Sequence, residues 1–138
     1  MKKGVIPIVI FVIRKKGKYL LTFRTDGKPN DKINNNIWQI PGGQVNFQEK
    51  LHDALKREAK EELCVEIEIV KFIPKIFESV RTYWHGLLFC YLCKIKNTKA
   101  KITLNKEASR YKWFNAQQIK SLKSFPETHR VILEAEKI

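Results

Sequence analysis

Hydrophobic and polar positions alternate in short blocks along this chain, and their spacing predicts most of its elements. Residues 5–13 are almost continuously apolar, and residues 18–24 are rich in Leu, Tyr and Phe, with Lys-Lys-Gly-Lys between them. Two bounded apolar runs around a glycine turn predict a β-hairpin whose first strand is buried. The next stretch, TDGKPNDKINNN at 25–36, is polar and full of turn formers, so a surface loop is expected. IWQI at 37–40 reads as a short strand stopped by Pro41-Gly42-Gly43, and QVNF at 44–47 as a short extended piece. Over 49–63 the period changes: Leu51, Ala54, Leu55, Ala59 and Leu63 fall at helical spacing. Alternation returns in the first half of 65–79, a strand, and residues 82–95 form another. KITL at 101–104 and RYKWF at 110–114 are further candidate strands. Asn115 suits an N-cap for a helix over 116–122, and 126–137 suits a closing helix. Strands in series with one central helix and C-terminal helices predict an α/β (α+β) fold, a mixed sheet with helices packed on its faces. No repeat, low-complexity tract or linker divides residues 1–138, so a single domain is expected.

Composition agrees with a globular chain, at 43% apolar and 11% aromatic residues. No apolar run is long enough to span a membrane. Lys2 and Lys3 ahead of Val5–Ile13 faintly imitate a signal sequence, but Pro7 interrupts the run and a second strand follows it, so a strand is the reading adopted. The three cysteines, Cys64, Cys90 and Cys93, are too few and too odd in number for a disulfide scaffold, which suits a reducing cytoplasm. Cys90 and Cys93 are three apart on a predicted strand, so they point to opposite faces and cannot share a metal. Net charge is +13, from 21 Lys and 6 Arg against 14 acids. Those cations are scattered and no nucleic-acid signature accompanies them, so a small phosphate-bearing ligand is expected rather than a nucleic-acid polymer.

Against that basic background, seven of the 14 acids fall within residues 49–68. On a helix, Glu58, Glu61 and Glu62 stand at i, i+3 and i+4 and share one side. Crowded carboxylates repel one another, and a hard cation such as Mg²⁺, which couples carboxylates to substrate phosphates, would relieve the repulsion. Taken alone, REAKEEL is equally an ordinary solvated helix with i,i+4 pairs such as Arg57–Glu61. The glycines upstream change the balance, because Gly42 and Gly43 let a backbone approach a ligand closely and leave a carbonyl free.

From Gly43, five residues lead to Glu49 and seven more to Arg57-Glu58-Ala59-Lys60-Glu61-Glu62-Leu63-Cys64-Val65. This 23-residue pattern resembles the Nudix box: glycine, five residues, glutamate, seven residues, then Arg-Glu-aliphatic-x-Glu-Glu-x-Gly-aliphatic. WQIPGG ahead of it and RYKWF behind it also resemble the family, whose domain would cover nearly the whole chain as an α/β/α sandwich with a mixed central sheet. One position departs, Cys64 for the last glycine, where a left-handed residue commonly closes the helix.

The resemblance implies a hydrolase that uses Mg²⁺ or Mn²⁺ to cleave a pyrophosphate bond in a nucleoside diphosphate linked to another group. Glu58, Glu61 and Glu62 would be the metal ligands, with the Gly42 carbonyl. Arg57 would orient Glu58, and Glu49 would support the loop and helix. Glu58 is one candidate base, and Glu107, before a late Trp-containing strand, is another. Arg24, Lys56 and Lys60 are candidate phosphate contacts, although plain surface is the simpler account of each. Gly43 and Trp84 are candidate substrate contacts, with Trp38, Phe77 and Tyr83 as further aromatics for stacking on a base. His85 is more readily a satisfied strand histidine, and His52 and His129 surface residues. The leading substrate is a free (d)NTP-type nucleotide, giving a nucleoside monophosphate and pyrophosphate. ADP-ribose, a nucleotide sugar, a dinucleoside polyphosphate or a 5′-triphosphate RNA end stay open, as does a homodimer. A non-catalytic Nudix module would be expected to lack box carboxylates that are all present here.

Overall fold

The computed structural model describes residues 4–25 and 36–138. Within them the chain runs β1 (Val5–Lys15), β2 (Lys18–Arg24), β3 (Ile37–Gln39), β4 (Gly42–Gln44), α1 (Leu51–Leu63), β5 (Ile67–Arg81), β6 (Trp84–Ile95), β7 (Ala108–Phe114), α2 (Ala116–Lys120) and α3 (Thr128–Glu136). The expected hairpin is β1 and β2, turned through Lys16 and Gly17, both at positive φ. Positions 26–35 of the expected loop lie outside the described residues.

The sheet is mixed. β1 runs parallel to β6 in continuous register from Val5 opposite His85 to Ile13 opposite Cys93. β5 pairs antiparallel on the outer side of β6. β2 carries β3 and β7 as antiparallel neighbours, and β4 pairs antiparallel with β1. The path is therefore β3-β2-β1-β6-β5. A central strand covered on both faces must be apolar at nearly every position, which accounts for the unbroken run at 5–13. Its residues divide between two clusters. Val12 joins Leu88, Cys90, Ile119, Val131 and Ile132 beneath α2 and α3. Val9, Phe11 and Ile13 join Ala54, Leu55, Ala59, Leu63 and Cys93 beneath α1. The fold is a three-layer sandwich, as expected. Cys90 and Cys93 occupy opposite layers, and burial pushes both thiols up to about 12, so they are inert core residues.

Three expectations are corrected. KITL at 101–104 is not a strand. Ile102 and Leu104 pack against the α1-side cluster and the Thr103 N–H donates to the Leu63 carbonyl, so the segment caps the end of α1. The strand at 37–39 does end ahead of Pro41, but Gly42 and Gly43 then begin a second strand rather than a break. β4 lies so close on β1 that a Cβ at Gly42 would strike the Val9 carbonyl and the Ile10 side chain. Glycine is required there for space rather than for a left-handed backbone. β5 extends to Arg81, well past the alternating half, because two register shifts around Val70 and Pro74 let it bend and keep pairing with β6.

Asn115 caps α2 as expected. Its side chain accepts from the Gln118 N–H, and the Gln118 side chain accepts from the Asn115 N–H. At the end of α1, Cys64 adopts the left-handed conformation at φ 56 and ψ 36, and its N–H donates to the Lys60 carbonyl. The box geometry is kept without the box glycine, at the steric cost of a Cβ in that region. Cys64→Gly should therefore stabilise the chain by about 0.5–1 kcal/mol with activity unchanged, as read by denaturant midpoint.

Candidate active site

Arg57 organises the acidic face of α1. Its Nε donates to Glu49 Oε2 at 2.7 Å and its Nη2 to Glu49 Oε1 at 2.9 Å, a two-pronged pair. Nη1 donates to Glu58 Oε1 at 2.8 Å and to Glu61 Oε2 at 3.3 Å, and Nη2 also donates to the Gln44 carbonyl at 2.9 Å. Glu49 in turn accepts from the Asn46 N–H. The Arg57 hydrogen bond and then that N–H hold Glu49 down at about 2. One guanidinium thus ties β4, the following loop and two successive turns of α1. Glu49 serves by fixing Arg57, and Arg57 by fixing Glu58.

Glu58 lies beneath β4. A Cβ on Gly43 would fall onto the Glu58 carboxyl group, so glycine is what lets helix and strand close at this point. Burial raises the Glu58 pKa, against the lowering effect of Arg57, and Glu61 and Glu107 raise it further. Glu62 is the most enclosed of the set at 7% exposure, and its Oε2 has no hydrogen-bond partner. Desolvation, then a side-chain hydrogen bond with Glu107, then the charges of Glu58, Glu107 and Glu61 push it up to about 10. Glu61 is over half exposed. The structure therefore gathers Glu58, Glu61, Glu62 and Glu107 in one acidic cluster, with Glu107 arriving from the loop before β7.

Chemistry decides what this cluster could hold. A buried carboxylate oxygen without a partner is costly, and its like-charged neighbours add to that cost. A hard divalent cation with an oxygen shell answers both. Among the described residues no three such side chains yet converge on one point. Glu61, drawn aside by Arg57 on an exposed side chain, has the freedom to swing in. In donor chemistry Glu58, Glu61 and Glu62 fit the ion.

Across β4 the chain forms a cleft of about 630 Å³. Gly42 and Gly43 belong to its wall, as do Arg24, Ile8, Ile10, Leu88, Trp84 and Tyr83. The glycine pair is thus shared between an apolar cleft and the carboxylate cluster. Trp84 and Arg24, candidate substrate and phosphate contacts from the sequence, both line this cleft. The other aromatics sort differently. Trp38 packs edge-on against Phe23 and Phe114, and Phe77 is core. Tyr83 is exposed at the cleft rim. Lys56 and Lys60 are exposed on α1. His85 carries a buried Nε2 without a partner, His52 stands edge-on to Tyr91, and His129 is partly buried on α3. The sequence reading missed Ser79, Arg81, Phe125 and Glu127, all of which line the cleft. Only the alternation of Phe77, Ser79 and Arg81 on β5 pointed to a shared face.

Comparison with known proteins agrees with this fold. The family model described as NUDIX domain matches residues 3–135. An 8-oxo-dGTP diphosphatase from Buchnera aphidicola is 32% identical over 126 residues, covering 91% of this chain and 88% of that protein. Nucleoside triphosphatase NudI from Escherichia fergusonii is 29% identical over 120 residues, covering 81% of this chain and 83% of that protein. Among solved structures, a MutT protein from Methanosarcina mazei Go1 superposes with a TM-score of 0.80 at 23% identity, covering 99% of this chain and 96% of that one.

Proposed function

From the premise that this chain belongs to the Nudix family and is a pyrophosphohydrolase, we propose that it hydrolyses a free nucleoside triphosphate, ribo or deoxy, to a nucleoside monophosphate and pyrophosphate. One observation carries the reading: the Gly42-Gly43 strand joins an apolar cleft to a carboxylate cluster whose innermost oxygen lacks a partner. A base in the cleft sets its phosphates beside the carboxylates. The two similar enzymes named for nucleoside triphosphates support the same class.

Glu58, Glu61 and Glu62, with the Gly42 carbonyl, would hold Mg²⁺ or Mn²⁺. Such an ion, when bound, supplies positive charge against the phosphate oxygens and makes water more acidic. The remaining work belongs to the chain. Arg57 fixes the Glu58 carboxylate and Glu49 fixes Arg57. Gly42 and Gly43 keep the strand thin enough for phosphates to reach the helix. Arg24, on the cleft wall, contributes charge toward the polyphosphate. Glu58 or Glu107 accepts a proton from the attacking water, and both face the cluster.

The test is release of phosphate and pyrophosphate from NTPs, dNTPs, oxidised nucleotides, ADP-ribose, nucleotide sugars, diadenosine polyphosphates and 5′-triphosphate RNA, with Mg²⁺ and with Mn²⁺, beside Glu61→Gln. The expected result is pyrophosphate from triphosphates, silenced in the variant. Preference for ADP-ribose, a dinucleoside polyphosphate or an RNA end would replace the triphosphate reading, and silence across the panel would overturn it.

A further inference from the structure

β2 encloses a hydroxyl that no other described group satisfies. Thr22 is 3% exposed, and among the described residues its Oγ1 has no hydrogen-bond partner. Strand propensity accounts for a β-branched residue at this place. Valine would meet that need without enclosing a polar group, so the hydroxyl is a cost to the fold as it stands.

Alternation along β2 fixes the face on which Thr22 lies. Tyr19 and Leu21 belong to the cluster beneath α2 and α3, and Leu20 to the cluster beneath α1. The pairing of β2 with β7 keeps its register through Phe23 and slips only before Arg24, so Thr22 follows Leu20 on the α1 side. Tyr111, its neighbour on β7, stands two residues from Trp113, which packs against the α1-side cluster. Gln39, its neighbour on β3, lines the cleft with Gly42 and Gly43. Three residues on, the Thr25 N–H donates to the Glu107 carbonyl, and the Glu107 side chain meets Glu62. Thr22 is thus bracketed between Leu20, in one cluster with Ala59 and Leu63, and the strand end that reaches Glu62 through Glu107.

Glu62 has the matching defect. It is the acid that α1 buries, on the side of Ala59 and Leu63, and its Oε2 lacks a partner. A hydroxyl has one proton to donate, and a carboxylate with a cation on one oxygen keeps acceptor capacity on the other. Carboxylates that ligate metals are regularly held by such an outer hydrogen bond.

We propose that Thr22 is a positioning residue for the cation: its hydroxyl donates to Glu62 and holds that carboxylate in the orientation that binds Mg²⁺ or Mn²⁺. The assignment deepens the reading of the carboxylate cluster as a cation site and rests on it. Its rival is a strand threonine that only fills space, a role valine would serve as well.

Mn²⁺ binding by the nucleotide-free protein, read from the electron paramagnetic resonance of the free ion, separates the two. Thr22→Val should bind Mn²⁺ about 10- to 100-fold more weakly, the usual loss when an outer partner of a ligand is removed. Its cation-free melting temperature should equal the parent's or exceed it, because a buried hydroxyl without a partner is gone. Thr22→Ser keeps the donor and should restore the affinity. If Thr22→Val melts early, Thr22→Ala against Thr22→Ser carries the comparison. Unchanged Mn²⁺ affinity in Thr22→Val overturns the proposal, as does a serine variant as weak as the valine one, or a parent that binds no Mn²⁺. Weakening by valine and rescue by serine, without turnover of any triphosphate, would instead leave the role of Thr22 standing and remove the triphosphate reading.

Discussion

Glu58→Gln is expected to lower kcat/KM by about 10³-fold, within the range lost when a general base or a charged active-site group is removed, while the fold persists. The substitution keeps size and shape. The glutamine Oε1 can still accept from Arg57, so the clamp joining β4 to α1 survives. What is lost is the negative charge in the one carboxylate that touches Arg57, underlies Gly43 and faces Glu61, Glu62 and Glu107. Burial already raises its pKa, which favours a group that takes up a proton during the reaction. Glu107→Gln divides the two candidate bases. A comparable loss in both variants, with the acid limb of the pH–rate profile missing in Glu107→Gln, assigns the proton to Glu107. A small loss at Glu107 leaves it with Glu58. Near-normal turnover by Glu58→Gln would remove Glu58 from the chemistry altogether. Steady-state rates against pH on the preferred nucleotide make the measurement.

The residues that the sequence made legible are those whose roles depend on neighbours along the chain. Glu58, Glu61 and Glu62 share a helix face because of their spacing, and Arg57 reaches Glu61 for the same reason. Asn115 caps α2 through a contact three residues away. Cys64 was recognisable as the odd residue of the box, and the helix still closes through it in the left-handed region. Roles set by distant segments stayed hidden. Gly42 and Gly43 look like a break because glycine is a poor strand former, yet the nearness of β1 and of Glu58 leaves no room for anything larger. KITL has strand composition, and only the end of α1 beneath it explains why it makes no ladder. Glu62 reads like Glu61 on paper, and it is tertiary cover that buries one and leaves the other in solvent. Glu127 sits in an ordinary helix start, and only the fold brings it to the same cleft as Ser79.

That buried position of Glu62 leads to the second large effect. Without cation, Glu62→Gln should stabilise the protein by about 1–3 kcal/mol near neutral pH, because the folded carboxyl must take up a proton that glutamine does not need. The gain should grow with pH, and its sign follows from proton counting. In the folded state the Glu62 carboxyl is pushed up to about 10, from its ordinary value of 4.5. Between those values the folded chain holds a proton that the unfolded chain has released. Stability therefore falls as pH rises across that window. Glutamine has no proton to hold, so the variant should lose this part of the pH dependence. Cation works in the opposite direction. An ion that binds only the folded state at 100 times its dissociation constant adds about 2.7 kcal/mol, and more of that should appear at pH 8 than at pH 6, because the ion must displace the Glu62 proton. In Glu62→Gln the cation-induced rise in melting temperature should shrink at both pH values. Thermal melts of the two proteins with and without Mg²⁺ at pH 6 and pH 8 measure all of these effects. A variant less stable than the parent without cation, or one with an undiminished Mg²⁺ response, would show that Glu62 is satisfied by the protein itself and does not face the ion.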